Sequence, residues 1–193
     1  PVYHFDYKET ESPVNLTRFI QTKAAVADDT VSAVFRPAAD GKGGFIHYFL
    51  FFMKDAGTSV LGFNMGSHEY DIEQTIVQVS SKGKIVAIEF MPHNTKEHFW
   101  IRDTKDLATI VRDGHAQVYV SRGKHGCYPV AGTVTRYLGA VSDVCDKPVK
   151  KSYAAVVLAD AVANVKYIGT GFEGIKSRLV VNTSVPTIRL SEV

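Results

Sequence analysis

The chain has 193 residues, a formal net charge of +2, 45% hydrophobic and 22% charged residues, and a mean hydropathy near zero. That length lets a fold bury roughly 70% of its unfolded surface, so neither a metal nor a disulfide is needed merely to hold it together. The small charge excludes the broad basic field of a nucleic-acid binder, and no apolar run reaches the ~18 residues of a membrane helix.

In chain order, Ser12 and Pro13 read as the cap and first residue of a helix that puts Leu16, Phe19 and Ile20 on one face. Strands are expected at residues 31–35 and 45–53, with the turn A-D-G-K-G-G at 39–44 between them. Strands at 72–79 and 85–91 follow, joined by the turn S-K-G-K at 81–84. Thr104 is placed to cap a short helix whose Leu107, Ile110 and Val111 face inward until Gly114 ends it. Strands at 116–120, 154–158 and 179–181 complete the series, and 187–190 is a further candidate. Short strands separated by turn residues predict a mainly β fold, an antiparallel β-sandwich with one to three short peripheral helices. No repeat or linker divides the chain, so residues 1–193 are expected to form one domain, with 151–193 adding strands to it. Cys127 and Cys145 lie 18 residues apart, a spacing that fits neither a zinc ribbon nor a C-x-x-C pair. It leaves one disulfide and two free thiols equally open. The chain opens at Pro1 with no signal-peptide pattern, compatible with a secreted protein after processing or a cytoplasmic one after loss of Met.

One strand start stands apart. The stretch G-S-H-E-Y-D-I-E-Q-T-I-V-Q-V-S, from residue 66, gathers His68, Glu69, Asp71 and Glu73 before its apolar end. Alternation turns Asp71 and Glu73 to one face, about 7 Å apart. Val77 and Val79 continue that face, while Ile72 and Ile76 line the other. Carboxylates at the mouth of an apolar face must be hydrated, paired with a cation or bound to a metal. His68 lies off the parity of Asp71, but Gly66 and Ser67 suggest a turn that returns its ring. Asp55, just past the strand at 45–53, is a fourth contributor. Oxygen donors with one imidazole suit Mg²⁺, Mn²⁺ or Ca²⁺ better than zinc. The plain alternative is a solvated strand end. His93 and His125 both sit where a strand gives way to a loop, so the same rim can collect them.

M-K-D-A-G followed by G-S-H-E-Y-D-I-E resembles the metal-binding signature of the necrosis- and ethylene-inducing peptide-like proteins, secreted β-sandwich cytolysins whose motif reads G-H-R-H-D-W-E after a K-D pair. Counted from the motif's first histidine, His68, Asp71 and Glu73 take its first, fourth and sixth positions, and Asp55 matches the aspartate of K-D. The resemblance implies a divalent cation, most simply Mg²⁺, held by Asp55, His68, Asp71 and Glu73 in a rim cavity. In that family the cavity receives a sphingolipid sugar head group, with histidines at positions that His93 and His125 can fill. The motif's tryptophan is here Ile72 and its second histidine Tyr70, which separates site geometry from cytolytic activity. A second stretch, D-G-H-A-Q-V-Y-V-S-R-G-K-H-G-C-Y-P-V-A-G-T at 113–133, is similar to the vacuolar protein sorting-associated protein sixty-two family. Together the resemblances span about residues 1–150.

Two functions compete for such a rim. A recognition module would bind a glycan or glycolipid head group on the cation, with a membrane surface as a neighbour; Phe99 and Trp100 in K-E-H-F-W-I-R either stand exposed, to stack on a sugar, or pack under their loop. A phosphodiesterase or nuclease would use the same ion to polarise a phosphoryl oxygen. His93 or His125 would then be the catalytic base, and Arg122 and Lys124 would bind the phosphate; only this reading brings in nucleic acid. A third reading, assembly through edge strands, leaves the acidic cluster structural.

Overall fold

The run G-F-I-H-Y-F-L-F-F-M-K-D is apolar on both strand faces, which demands a central position covered on both sides. A computed structural model describes residues 4–6, 13–22, 30–60, 62–93, 96–136, 141–146, 152–158, 178–182 and 184–193. Its elements begin with β1 (His4–Asp6), α1 (Leu16–Thr22), β2 (Thr30–Pro37), β3 (Gly44–Asp55), β4 (Thr58–Val60), β5 (Phe63–Met65) and β6 (His68–Val79). They continue with β7 (Ile85–Phe90), β8 (Phe99–Ile101), α2 (Thr104–Ile110), β9 (Val111–Arg112), β10 (His115–Gln117), β11 (Tyr119–Val120) and β12 (Cys127–Tyr128). The series ends with β13 (Gly132–Arg136), β14 (Val141–Cys145), β15 (Ser152–Val157) and a 3-10 turn at Leu190–Glu192.

Nine strands form one sheet in the order β8-β7-β6-β3-β2-β15-β1-β10-β9, and three two-stranded ladders flank it. Most pairings are antiparallel; β1 with β10 and β15 with β2 run parallel. The main core contains Ile46, Tyr48, Leu50 and Phe52 from β3, Val77 and Val79 from β6, Ile101 from β8 and Ala116 from β10. Strands from both ends of the sheet order meet in that core, so the sheet folds over on itself as a β-sandwich. The opposite face of β3 and β6 packs Phe49, Phe51 and Ile72 against Leu16 and Phe19 of α1. Leu50, Phe51, Ile88, Phe90 and Ile101 are fully buried, each stabilising the fold by about 1.5–3 kcal/mol.

Several boundaries differ from expectation. Ser12 lies outside the described residues, and Pro13 precedes the helix; Asn15 caps it, its Oδ1 accepting from the Arg18 N–H at 2.9 Å. The side chain of Ile20 is also outside the described ones. Asp103, not Thr104, caps α2, because one carboxylate oxygen accepts from both Lys105 and Asp106 N–H groups. Leu107, Ile110 and Val111 pack on the main core as expected, though Val111 already belongs to β9 and Gly114 turns β9 into β10. The strand expected at 116–120 is split at Val118 into β10 and β11, which join different sheets. Residues 179–181 are not a strand, and 187–190 contributes only one bridge, Thr187 to Trp100. That terminal segment works instead as a tie: Arg178 Nη1 donates to the Ile72 carbonyl at 2.7 Å, and Gln74 Nε2 donates to the Arg178 carbonyl at 3.0 Å. Cys127 and Cys145 are buried thiols and form no disulfide.

Candidate metal centre

The site is a consequence of register. Antiparallel pairing of β3 with β6 sets the acidic end of one strand against the histidine end of the next, with Asp55 opposite His68 and Phe52 opposite Asp71. Strand β6 starts at His68, four residues before the expected start, so the charged residues are part of the ladder and not of a loop. Tyr70 has φ 62°. This left-handed residue interrupts the alternation between His68 and Asp71, and Gly66, at φ 78°, turns the chain just before His68 as expected. One donor atom each from Asp55, His68 and Asp71 lies within 4.8 Å of the others, and His68 Nε2 stands 3.8 Å from Asp55 Oδ2.

Asp55 is held from below. Its Oδ1 accepts the Gly57 N–H, and its carbonyl accepts the Ser67 hydroxyl at 2.9 Å. Gly57 has φ 69°, and a Cβ there would stand 2.6 Å from Asn64 Oδ1, the Met65 carbonyl oxygen and the Ser67 nitrogen. Only glycine fits that turn.

The loop between β11 and β12 closes the site from the other layer. The Ala56 N–H donates to the Gly123 carbonyl at 2.7 Å, and Ser121 exchanges backbone bonds with Gly126 and His125. His125, at φ 59°, is fully buried; its ring stacks on Phe52 at 3.8 Å and 4°. His125 Nδ1 lies 2.9 Å from Asp71 Oδ2, so the imidazole orients a candidate metal ligand. This corrects its expected place as a catalytic base: a ring closed off from solvent cannot reach a substrate proton. Tyr70, His93 and His125 are three of the four described non-glycine residues at positive φ, and Asp113 is the fourth. Backbone strain of about 1–3 kcal/mol per residue is thus gathered here.

Electrostatics suit a cation. Burial pushes the Glu73 carboxyl well above its usual range, Asp71, Asp55 and Asp143 add to the effect, and Arg178 opposes it. Burial likewise raises Asp55; Asp71 adds to this, while the Gly57 N–H, His68 and His125 oppose it. Glu73 is buried beside the group, but its oxygens are not among the converging donors of Asp55, His68 and Asp71. Two carboxylates and an imidazole fit a hard divalent ion that keeps further positions for water or ligand oxygens.

A second polar cluster borders the first. Asp143 on β14 is buried, and its Oδ2 meets His93 Nε2 at 2.8 Å, Arg136 Nε at 2.9 Å and the Tyr128 hydroxyl. Burial pushes the Asp143 carboxyl up, but bonds from His93 and Tyr128 and the charges of His93 and Arg136 outweigh it and hold the carboxyl well below its usual range. His93 is half-buried, and a Cβ on Gly126 would stand 2.8 Å from its Nε2, so it packs on the loop that carries His125. Sequence reasoning missed Asp143 and Tyr128 as members of the rim; the only signal was their place in S-D-V-C-D-K and H-G-C-Y-P.

Three expected ligand-binding residues are used otherwise. Trp100 is 1% exposed, because β8 pairs with β7 on one side and residues 186–188 bond to its backbone on the other; it cannot stack on a sugar. Lys124 Nζ donates to the Ser142 carbonyl at 2.8 Å and lies 3.3 Å from Asp143 Oδ1, so its charge serves the Asp143 cluster. Arg122 is exposed and pairs with Asp146.

The β-sandwich fold is shared with a solved structure of low sequence identity. This structure, described as "Toxin fold for microbial attack and plant defense", matches with a TM-score of 0.52 at 11% identity, covering 87% of this chain and 79% of its own. Another, "NLPPya in complex with glucosamine", gives a TM-score of 0.49 at 11% identity over 80% and 70%. At this identity the fold is what is shared. No protein-family model and no curated protein matches the sequence.

Proposed function

We propose that the chain is a divalent-cation-dependent recognition module that binds a glycan or glycolipid head group at the sandwich rim. The observation that carries this reading is the convergence of Asp55, His68 and Asp71 within 4.8 Å at paired strand ends. The motif resemblance of these residues and Glu73 to the necrosis- and ethylene-inducing peptide-like signature supports it. Asp55, His68 and Asp71 would hold the ion, with Glu73 behind them as a buried carboxylate and His125 fixing Asp71. When bound, the ion supplies vacant positions that accept sugar hydroxyls. His93, half-buried and fixed by Asp143, is the imidazole placed to meet the ligand. On a glycan array, binding in Mg²⁺ should disappear in EDTA and in Asp71→Asn; array binding that is unchanged in both contradicts the reading.

The His93–Asp143 pair favours a second reading, a metal-dependent phosphodiesterase, because a carboxylate that orients an imidazole is how a general base is held. Turnover of bis-(p-nitrophenyl) phosphate that requires both the ion and His93 would select that reading.

A further inference from the structure

A row of residues crosses the sheet away from the rim. His47 stands opposite Ile76 of β6, Ile76 opposite Glu89 of β7, and Glu89 opposite Trp100 of β8. Directly paired residues share a face. Part of the cover on this face is the C-terminal segment, a strap whose Leu179 packs beside Phe49 and whose Val181 and Val185 pack beside Ile76 and Trp100.

Gln74 joins His47 to that strap. Its Nε2 stands 2.6 Å from His47 Nδ1 and donates to the Arg178 carbonyl at 3.0 Å. A carbonyl only accepts, so it fixes the amide nitrogen of Gln74, not the oxygen, at that place. The same nitrogen gives its second hydrogen to His47 Nδ1, which must therefore be unprotonated. The ring proton sits on Nε2, a buried atom with no hydrogen-bond partner among the described residues. A proton added at Nδ1 would set N–H against N–H. Turning the amide over would satisfy the imidazolium, but would put the Gln74 oxygen against the Arg178 carbonyl oxygen. A charged His47 and the Gln74–Arg178 bond exclude each other.

We infer that protonation of His47 releases the start of the strap, at residues 178–182, and opens the sheet face that holds Trp100. The surrounding charges work in the same direction. Burial and then the Arg36 charge of β2 hold His47 down at about 4. His98, which shares the face of Trp100, is lowered to about 4 by burial and Arg178, with Glu97 opposing. Glu89, the carboxylate of the row, is raised by burial to about 7 against Arg102, so it carries no offsetting charge in acid. Arg18, the charged residue of α1, is exposed. The far end of the strap keeps its own ties: the Trp100 N–H donates to the Pro186 carbonyl, the Ile188 N–H to the Trp100 carbonyl, and Arg189 pairs with Asp103 and Asp106. With His47 back at its ordinary 6.5 once the strap is open, a fall from pH 7 to pH 4 shifts the open-to-closed ratio about 100-fold.

Trp100 is the only tryptophan of the chain and is buried, so its fluorescence reads the opening. In EDTA, acrylamide should quench the wild type at least about twofold more at pH 4 than at pH 7, with the sheet signal in circular dichroism unchanged. His47→Asn, whose Oδ1 accepts the Gln74 hydrogen without titrating, should stay closed at both pH values, whereas His98→Gln should still open. Gln74→Met, which lacks the relay, should already be open at pH 7 and show no pH dependence; it decides the matter if His47→Asn does not fold. Quenching that does not rise in the wild type, or that rises equally in a folded His47→Asn, overturns the inference. So does an opening that His98→Gln abolishes, a Gln74→Met that stays closed at pH 7, or a rise that comes with loss of the sheet signal.

Discussion

His125 shows what a single residue does at this rim. Its backbone sits at φ 59°, its ring lies flat on Phe52, and its Nδ1 reaches Asp71. None of these contacts involves solvent, so the ring acts through the carboxylate it holds. His125→Asn should therefore weaken Mg²⁺ binding about 10- to 100-fold without abolishing it, as loss of a ligand-orienting partner does; titration of the variant checks this. The converging groups were legible because Asp55 stands at a strand end and His68 and Asp71 crowd a strand start, whereas Glu73 is buried beside them without joining the converging donors. Asp143 was not legible in the same way. It meets His93 across 50 residues of sequence, and only the β13–β14 ladder and the loop at Gly126 bring the two together. Trp100 misled because three residues of strand give no alternation to read, and its cover comes from the far C-terminus.

At the level of elements, the site depends on how β3 ends and β6 begins. Gly57 is the tightest constraint, since any side chain there meets three atoms at 2.6 Å in a backbone conformation that favours glycine. Gly57→Ala should displace Asp55, cost about 1–3 kcal/mol of stability and lower ion affinity; a denaturant melt and an ion titration measure both. The opposed faces of β6 were readable from sequence, with Val77 and Val79 in one core and Ile72 and Ile76 facing others. Its left-handed Tyr70 was not, because tyrosine carries no preference for that conformation. Helix caps were misplaced by three residues and by one, where Asn15 and Asp103 took the first-turn N–H groups.

At the scale of the molecule, strand content and turn positions announced a β-sandwich, while the parallel pairings and the folding of one sheet over itself arise from contacts far apart in sequence. Between the sheet and its cover lie buried titratable groups with a measurable consequence. Burial, aided by the Arg36 charge, lowers His47 from 6.5 to about 4, so the folded state holds it neutral. A depressed imidazole leaves stability intact above pH 6.5 and removes it as pH falls toward 4, because the unfolded chain takes up the proton first. Between pH 7 and pH 5 the wild type should lose about 2 kcal/mol more than His47→Gln, as urea melts at the two pH values would show. Equal losses would mean that His47 is protonated in the fold.

The ion itself decides the central claim. Protein stripped with EDTA and titrated with Mg²⁺, Mn²⁺ and Ca²⁺ by calorimetry, alongside Asp71→Asn, should bind one ion per chain in the wild type and none in the variant. Absence of binding by a folded wild type, or undiminished binding by Asp71→Asn, would contradict a metal centre at Asp55, His68 and Asp71.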